Sequence, residues 1–314
     1  MSDSVFHDDD APSPVMQVAT PPGIDRQYDY AVEGPRQSQL WAQRYILFLQ
    51  DVTAVFDGFK ALDIADLGIG HKELRVVVGP NGAGKTTMCD VISGLTKPTT
   101  GKVYFNGDEI TGQDETAIAQ QGVGRKFQIP NVFDSLSVWE NMLLALPNPA
   151  QGIGSKYHLR KLDPRVTGPG GLAMMRFLKH CQTVGGKATP EARDRIHDIL
   201  TRVRLIDDLH TPAQSLSHGQ RQWLAISSLI LAGPKLLLVD EPAAGLTDAE
   251  TALTAELLLE LKDEHTIICI EHDMEFVRQL DSRVTVLNEG RVLAEGSLDD
   301  VQNDEAVIEA YLGR

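Results

Sequence analysis

The sequence predicts an α/β fold with a mainly parallel central sheet, interrupted by a largely helical stretch. Three observations point there. LLLVD at 236–240 and TIICIE at 266–271 are continuous apolar runs of strand length, the pattern of strands covered on both faces. Helical segments at 248–264 and 273–280 alternate with them. A glycine-rich octet, GPNGAGKT at 79–86, joins the apolar strand ELRVVVG (73–79) to a further helix that ends near SGLTKP.

Residues 1–43 read as a flexible tail, because 1–40 hold five prolines and seven acidic residues against two basic ones, Arg26 and Arg36. The first residues lack the basic and apolar regions of a secretory signal. Order is expected from RYILFLQDVTAVF (44–56), whose β-branched and aromatic residues favour a strand. GKVYFNGDEI (101–110) reads as a strand turning at Asn106-Gly107. From about 129 to 232 the sequence is mainly helical. Within that interval, 150–190 carries seven Lys or Arg against one acid, Asp163, with glycines and prolines at both ends. It reads as a solvated excursion; the alternative is contact with anionic headgroups or an acidic partner. RVTVLNEGRVLAEG (283–296) is a hairpin around Asn288-Glu289-Gly290.

The composition sets bounds. With 314 residues the chain can bury a substantial core, and its net charge of −15 argues against nucleic acid as a partner. Cys89, Cys181 and Cys269 lie too far apart for a metal-ligand spacing and read as reduced thiols. No apolar run reaches the roughly 20 residues that span a bilayer.

The octet at 79–86 has the spacing of a phosphate cradle between strand and helix. Gly79, Gly82 and Gly84 permit a tight turn whose N–H groups converge on phosphate oxygens, with Pro80, Asn81 and Ala83 between them. Lys85 is expected on the β- and γ-phosphates, Thr86 on Mg²⁺, and Thr87 beside it. Asp240 and Glu241, at the carboxyl end of a buried strand, suit the same chemistry: Asp240 for Mg²⁺, directly or through water, and Glu241 as general base for water. ATP and Mg²⁺ are the expected cofactors.

SLSHGQ at 215–220 precedes the apolar run WLAISSLILA. Ser217 and Gln220 form a capping box, yet Gly219 stands in the first turn, where glycine costs roughly 1 kcal/mol against alanine. A helix start that bare implies a close approach to its backbone.

With these motifs in this order, residues 45–314 resemble the ATP-binding subunits of ABC transporters. The resemblance implies a P-loop NTPase core with an antiparallel β subdomain and an inserted helical subdomain. It implies a split site, in which Ser217, His218, Gly219 and Gln220 of one subunit contact ATP held by another. His218 departs from the commoner glycine. Gln128, in RKFQIPNVF, matches the loop that touches Mg²⁺ or the lytic water. His272, in IEHD, matches the histidine that contacts the γ-phosphate. Phe56 suits the aromatic stacked on adenine, with Phe59 as its rival. Thr247 stands where the family has an aspartate, leaving Asp248 to cap the next helix.

Within the family, FDGFKAL and GVGRKFQIPNVFDSLSVWEN resemble the branched-chain amino acid and urea importer branch. SHGQRQWL, AGLTDAET and VQNDEAVIEAYLGR are most similar to the urea-importer ATP-binding subunits. The implied function is ATP hydrolysis driving import of urea or short amides. The alternatives are a branched-chain amino acid importer, a related exporter, or a soluble ATPase acting on nucleic acid or ribosomes. The implied partners are a second ATP-binding subunit (a different one rather than a copy), membrane permease subunits, and indirectly an external solute-binding protein. The chain would then sit peripherally on the cytoplasmic face of the inner membrane.

Overall fold

In the computed structural model, which describes residues 43–126, 132–146 and 188–312, two sheets carry the chain. β1 (Leu47–Phe56) and β2 (Phe59–Ile69) form an antiparallel hairpin. Its turn is Asp57-Gly58, both at positive φ (48° and 84°), which matches the strands' right-handed twist. β4 (Thr100–Phe105) pairs with β1 and carries the short β5 (Asp108–Glu109), giving the order β2-β1-β4-β5. The intervening turn is Asn106-Gly107, where the sequence puts it.

The second sheet has the order β10-β9-β3-β8-β7-β6. β3 (Leu74–Val78), β8 (Thr266–Ile270), β7 (Leu236–Asp240), β6 (Val123–Lys126) and β9 (Arg283–Asn288) are parallel. β10 (Arg291–Gly296) closes the edge antiparallel to β9. Every residue of β3, β7 and β8 is buried. Val76, Leu237, Val239 and Ile267 enter a core shared with the helices, while Val77, Leu236, Leu238 and Ile268 enter one shared with the antiparallel sheet. Successive residues thus face opposite cores, so neither face can carry polar side chains.

α1 (Lys85–Ser93) follows β3, and α2 (Glu115–Gln121) precedes β6. α3 (Val138–Ala145), α4 (Pro190–Arg202) and α5 (His218–Leu231) pack together, with α5 against both others. α6 (Asp248–Leu261) and α7 (Met274–Leu280) follow β7 and β8. α8 (Leu298–Gln302) and α9 (Glu305–Leu312) end the described chain. Residues 1–42 of the proposed tail and most of the basic interval 150–190 lie outside the described residues.

Register sets the site. Asp240 lies opposite Ile270, Val77 opposite the same Ile270, Val78 opposite Val286, and Lys126 opposite Val239. The carboxyl ends of β3, β6, β7 and β8 therefore share one edge, where ligands bind in parallel α/β sheets.

Candidate functional site

Of the helices α1 to α9, α1 alone begins without a side-chain cap. The others use Asp114, Ser137, Thr189, Ser217, Thr247, Asp273, Ser297 and Asp304. Its N-cap is Gly84 at φ 97°, so the first N–H groups of the helix are offered to something other than the chain's own side chains. Two glycines are there because backbone presses on them. A Cβ on Gly84 would stand 2.5 Å from the carbonyl oxygen of Ala61, and one on Gly79 would collide with that of Leu287. The loop is wedged between β2 and the β9–β10 hairpin, whose Gly290 N–H donates to the Ala83 carbonyl at 3.0 Å. Ala83 N–H donates to Pro80 O at 3.1 Å; Asn81 and Thr86 are exposed, and Thr87 is half-buried.

The Lys85 ammonium folds back across this loop, donating to the carbonyls of Gly79 (2.7 Å) and Pro80 (3.0 Å). Burial pushes its pKa down, while the Glu241 and Asp240 carboxylates pull it up. Lysine and acidic pair therefore share one local field. Asp240, the last residue of β7, is buried, and burial pushes its carboxyl up against the opposing charges of Arg125 and Lys126. These donors fit a magnesium ion that takes one carboxylate, a hydroxyl and phosphate oxygens. Among the described residues no cluster of three or more His, Cys, Asp or Glu could hold a metal alone.

Glu241 adopts φ 45°, a left-handed backbone that costs a residue with a Cβ on the order of 1 kcal/mol or more. Its N–H still donates to Ile270 O at 3.0 Å, continuing the β7–β8 ladder, so the left-handed turn falls directly at the edge of the sheet. Its side chain is 24% exposed, and His272 Nδ1 lies 3.5 Å from its Oε1. His272 is largely exposed, directly after β8.

The residue between β8 and His272 escaped sequence reasoning. Glu271 is buried, and its Oε1 accepts from Ala243 N–H (3.0 Å) and its Oε2 from His272 N–H (3.1 Å). Burial pushes this carboxyl up, and backbone bonds from Ala243, His272 and Asp273 pull it back. One carboxylate thus clamps the loops that carry Glu241 and His272. Lys126 was also missed. It is buried, donates to the Asp240 carbonyl at 3.2 Å, and burial lowers its pKa to about 8 against the Asp240 carboxylate. The sequence signal for Glu271 is a charged residue at the end of an apolar strand; Lys126, which closes VGRK beside Arg125, has no such signal.

The SLSHGQ segment begins α5 as its box predicts. Ser217 Oγ accepts from Gln220 N–H (3.1 Å), and Gln220 Oε1 accepts from Ser217 N–H (2.9 Å). His218 Nε2 stands 3.2 Å from Ala244 O, so the residue that departs from glycine reaches the loop after β7. The close approach implied by Gly219 is made, within this chain, by Glu250: a Cβ on Gly219 would be 2.7 Å from that carboxylate's carbon. The cap of α6 is Thr247, not Asp248 as expected. Thr247 Oγ1 accepts from Glu250 N–H at 3.3 Å, and Asp248 falls on the first helical residue.

Phe56 and Phe59 flank the β1–β2 turn, 48% and 67% exposed. Ala61, two residues beyond Phe59, lies against Gly84 of the glycine-rich loop. Gln128 lies outside the described residues. Among the described residues no helix is long and apolar enough to cross a membrane.

Residues 62–244 match the family described as ABC transporter, and 291–314 match that described as branched-chain amino acid ATP-binding cassette transporter. The chain is 34% identical over 261 residues to the high-affinity branched-chain amino acid transport ATP-binding protein LivG of Escherichia coli, covering 82% of this chain and 94% of that one. It is 32% identical over 272 residues to BraF of Pseudomonas aeruginosa, with the corresponding name, covering 86% and 98%. In structure it is similar to a nucleotide-free ATP-binding cassette from an ABC transporter (TM-score 0.68, 27% identity, 86% and 99% covered). It is also similar to MJ0796, a bacterial ABC transporter cassette solved as a dimer (TM-score 0.61, 25% identity, 80% and 98% covered).

Proposed function

The chain belongs to the ABC transporter ATP-binding family, an ATPase family, and on that premise we propose that it powers a branched-chain amino acid importer. What carries the substrate class is the match of residues 291–314 to the branched-chain amino acid cassette family, with the named relatives behind it. Urea or short amides, the reading that SHGQRQWL and VQNDEAVIEAYLGR favour, is the second reading.

In the proposed mechanism the amides of Gly79–Gly84 and the Lys85 ammonium hold the triphosphate. Thr86 and Asp240, with Gln128, would hold Mg²⁺, which would supply charge neutralisation at the phosphates. Glu241 takes the proton of the attacking water, and His272 contacts the γ-phosphate. Phe56 stacks on adenine. Ser217, His218, Gly219 and Gln220 complete the site of a second cassette, a different subunit rather than a copy. The uncapped start of α1 facing Asp240 and Glu241 supports this reading, and the dimeric MJ0796 cassette supports pairing. With permease subunits bound, the chain would sit peripherally on the cytoplasmic membrane face, fed by an external solute-binding protein.

Reconstitution with its permease subunits and binding protein tests the substrate. Leucine, isoleucine or valine should stimulate ATP turnover and urea should not. Stimulation by urea alone would replace the proposal with the second reading.

A further inference from the structure

The function proposed above aims the start of α5 at the γ-phosphate of an ATP held by another cassette. In the single chain that turn has an occupant. Glu250 lies in the first turn of α6 and divides its carboxylate between two tasks. Its Oε2 accepts from Thr247 N–H (3.0 Å) and Thr247 Oγ1 (2.9 Å), completing the cap of α6. Its Oε1 points the other way, 3.5 Å from Ser217 Oγ, and covers the Cα of Gly219. The bonds from Thr247, then that from Ser217 and the nearby His218, hold the carboxyl below the usual glutamate range, so the group over the turn is an anion.

We propose that Glu250 is a positioning residue that guards the split site: its carboxylate occupies the Ser217–Gly219 turn of the lone cassette and must withdraw before a γ-phosphate from a second cassette can bind there. The inference rests on the two-cassette reading above. Three physical facts lead to it. The Ser217 hydroxyl has one proton and can give it to the carboxylate or to a phosphate oxygen, not both. The bare face of Gly219 admits one group at a time. Two anions in contact repel, by an amount that at about 5 Å, under the nearly water-like screening of an exposed pair, weakens phosphate binding about fivefold to tenfold. Because Oε2 is held by Thr247, in the segment that leads from Glu241 to α6, withdrawal also pulls on the chain beside the proposed base. Arrival of the second cassette's ATP is thereby felt at Glu241 through this chain's own side chains.

The test uses the full chain with its companion cassette, following ATP-dependent association and ATP turnover as functions of ATP concentration. Glu250→Gln keeps the length of the side chain and an acceptor for Thr247, and glutamine serves in capping boxes as well as glutamate does. It should lower the half-saturating ATP concentration for association about fivefold to tenfold, with kcat within about twofold and an unchanged melting temperature. Added salt should narrow the difference. Glu250→Asp keeps the charge and can still cap, as Asp300 does in the box at Ser297, but withdraws from Ser217; its half-saturating concentration should fall between the two. If Glu250→Gln folds like the parent and needs as much ATP or more, the proposal is overturned. If Glu250→Gln fails to fold, Glu250→Asp decides by the same criterion. A parent chain that binds ATP yet associates with no cassette overturns the two-cassette reading and this inference with it.

Discussion

Replacing Glu271 by glutamine probes the clamp between the loops of Glu241 and His272. In the parent, two oxygens of one carboxylate accept from Ala243 N–H at 3.0 Å and His272 N–H at 3.1 Å, in a buried place. Glutamine can turn its carbonyl oxygen to one of these donors; its NH₂ then faces the other. One charge-assisted hydrogen bond, worth about 1.5–3 kcal/mol, is lost, and a buried N–H is orphaned at about 1–3 kcal/mol more. The local arrangement is thus weakened by roughly 2.5–6 kcal/mol. If about 2.7 kcal/mol of that is felt where Glu241 and His272 are proposed to meet the γ-phosphate, turnover falls about 100-fold. The loop at 79–86, proposed to hold the phosphates, shares no hydrogen bond with Glu271 among the described residues, so ATP affinity is expected to be spared. Phosphate release measured across ATP concentrations should therefore show kcat down about 100-fold and KM within about threefold. A Glu271→Gln variant with parental kcat, or one that raises KM alone, would refute the clamp.

Glu241→Gln should bind ATP and hold the closed pair of cassettes while losing on the order of 100-fold or more in turnover, whereas Lys85→Ala should weaken binding itself. Turnover at the parent rate in Glu241→Gln, read by phosphate release, removes it as the base. Gly84→Ala forces a Cβ to 2.5 Å from Ala61 O at φ 97° and should lower the melting temperature and nucleotide affinity together, by about 1–3 kcal/mol in unfolding free energy. A denaturant titration and a nucleotide titration check both halves. Asp66 gives a pH signature. Burial, with the neighbouring Asp51 charge, pushes its carboxyl up to about 6, so ionisation opposes folding above that pH. Asp66→Asn should raise the melting temperature at pH 7.5; the gain should shrink as pH falls below about 6 and vanish only well below the ordinary value of 3.8, where the carboxyl is protonated folded or unfolded. A gain independent of pH would refute the cause.

Much of the site was legible because its signals are local. The octet at 79–86 carries its turn glycines, its lysine and its hydroxyl within eight residues, and the strands on either side read as continuous apolar runs. Ser217 and Gln220 announced a helix start that the structure forms. Asp57-Gly58 marked the β1–β2 hairpin as plainly as Asn106-Gly107 marked its neighbour, yet β2 went unread, because FKALDIADLGI mixes polar and apolar residues without a clean alternation. Thr247 and Asp248 both suit a cap, and only the backbone shows which one stands outside the helix.

The sequence alone determined the family, the glycine-rich turn at 79–86 and the places of β1, β3, β4, β7, β8, β9 and β10, since each depends on neighbours within a dozen residues and on periodicity. The tertiary structure alone decided what Glu271, Lys126, Glu250 and His218 do. Each acts on a partner brought close by folding: Glu271 on Ala243, Lys126 on Asp240, Glu250 on Gly219, and His218 on Ala244. A buried or shared charge is defined by what surrounds it in space, and one strand end or helix turn reads in sequence much like another. Gly219 marks the boundary between the two. Its sequence states that something comes close; only the packing of α6 against α5 names the carboxylate that does.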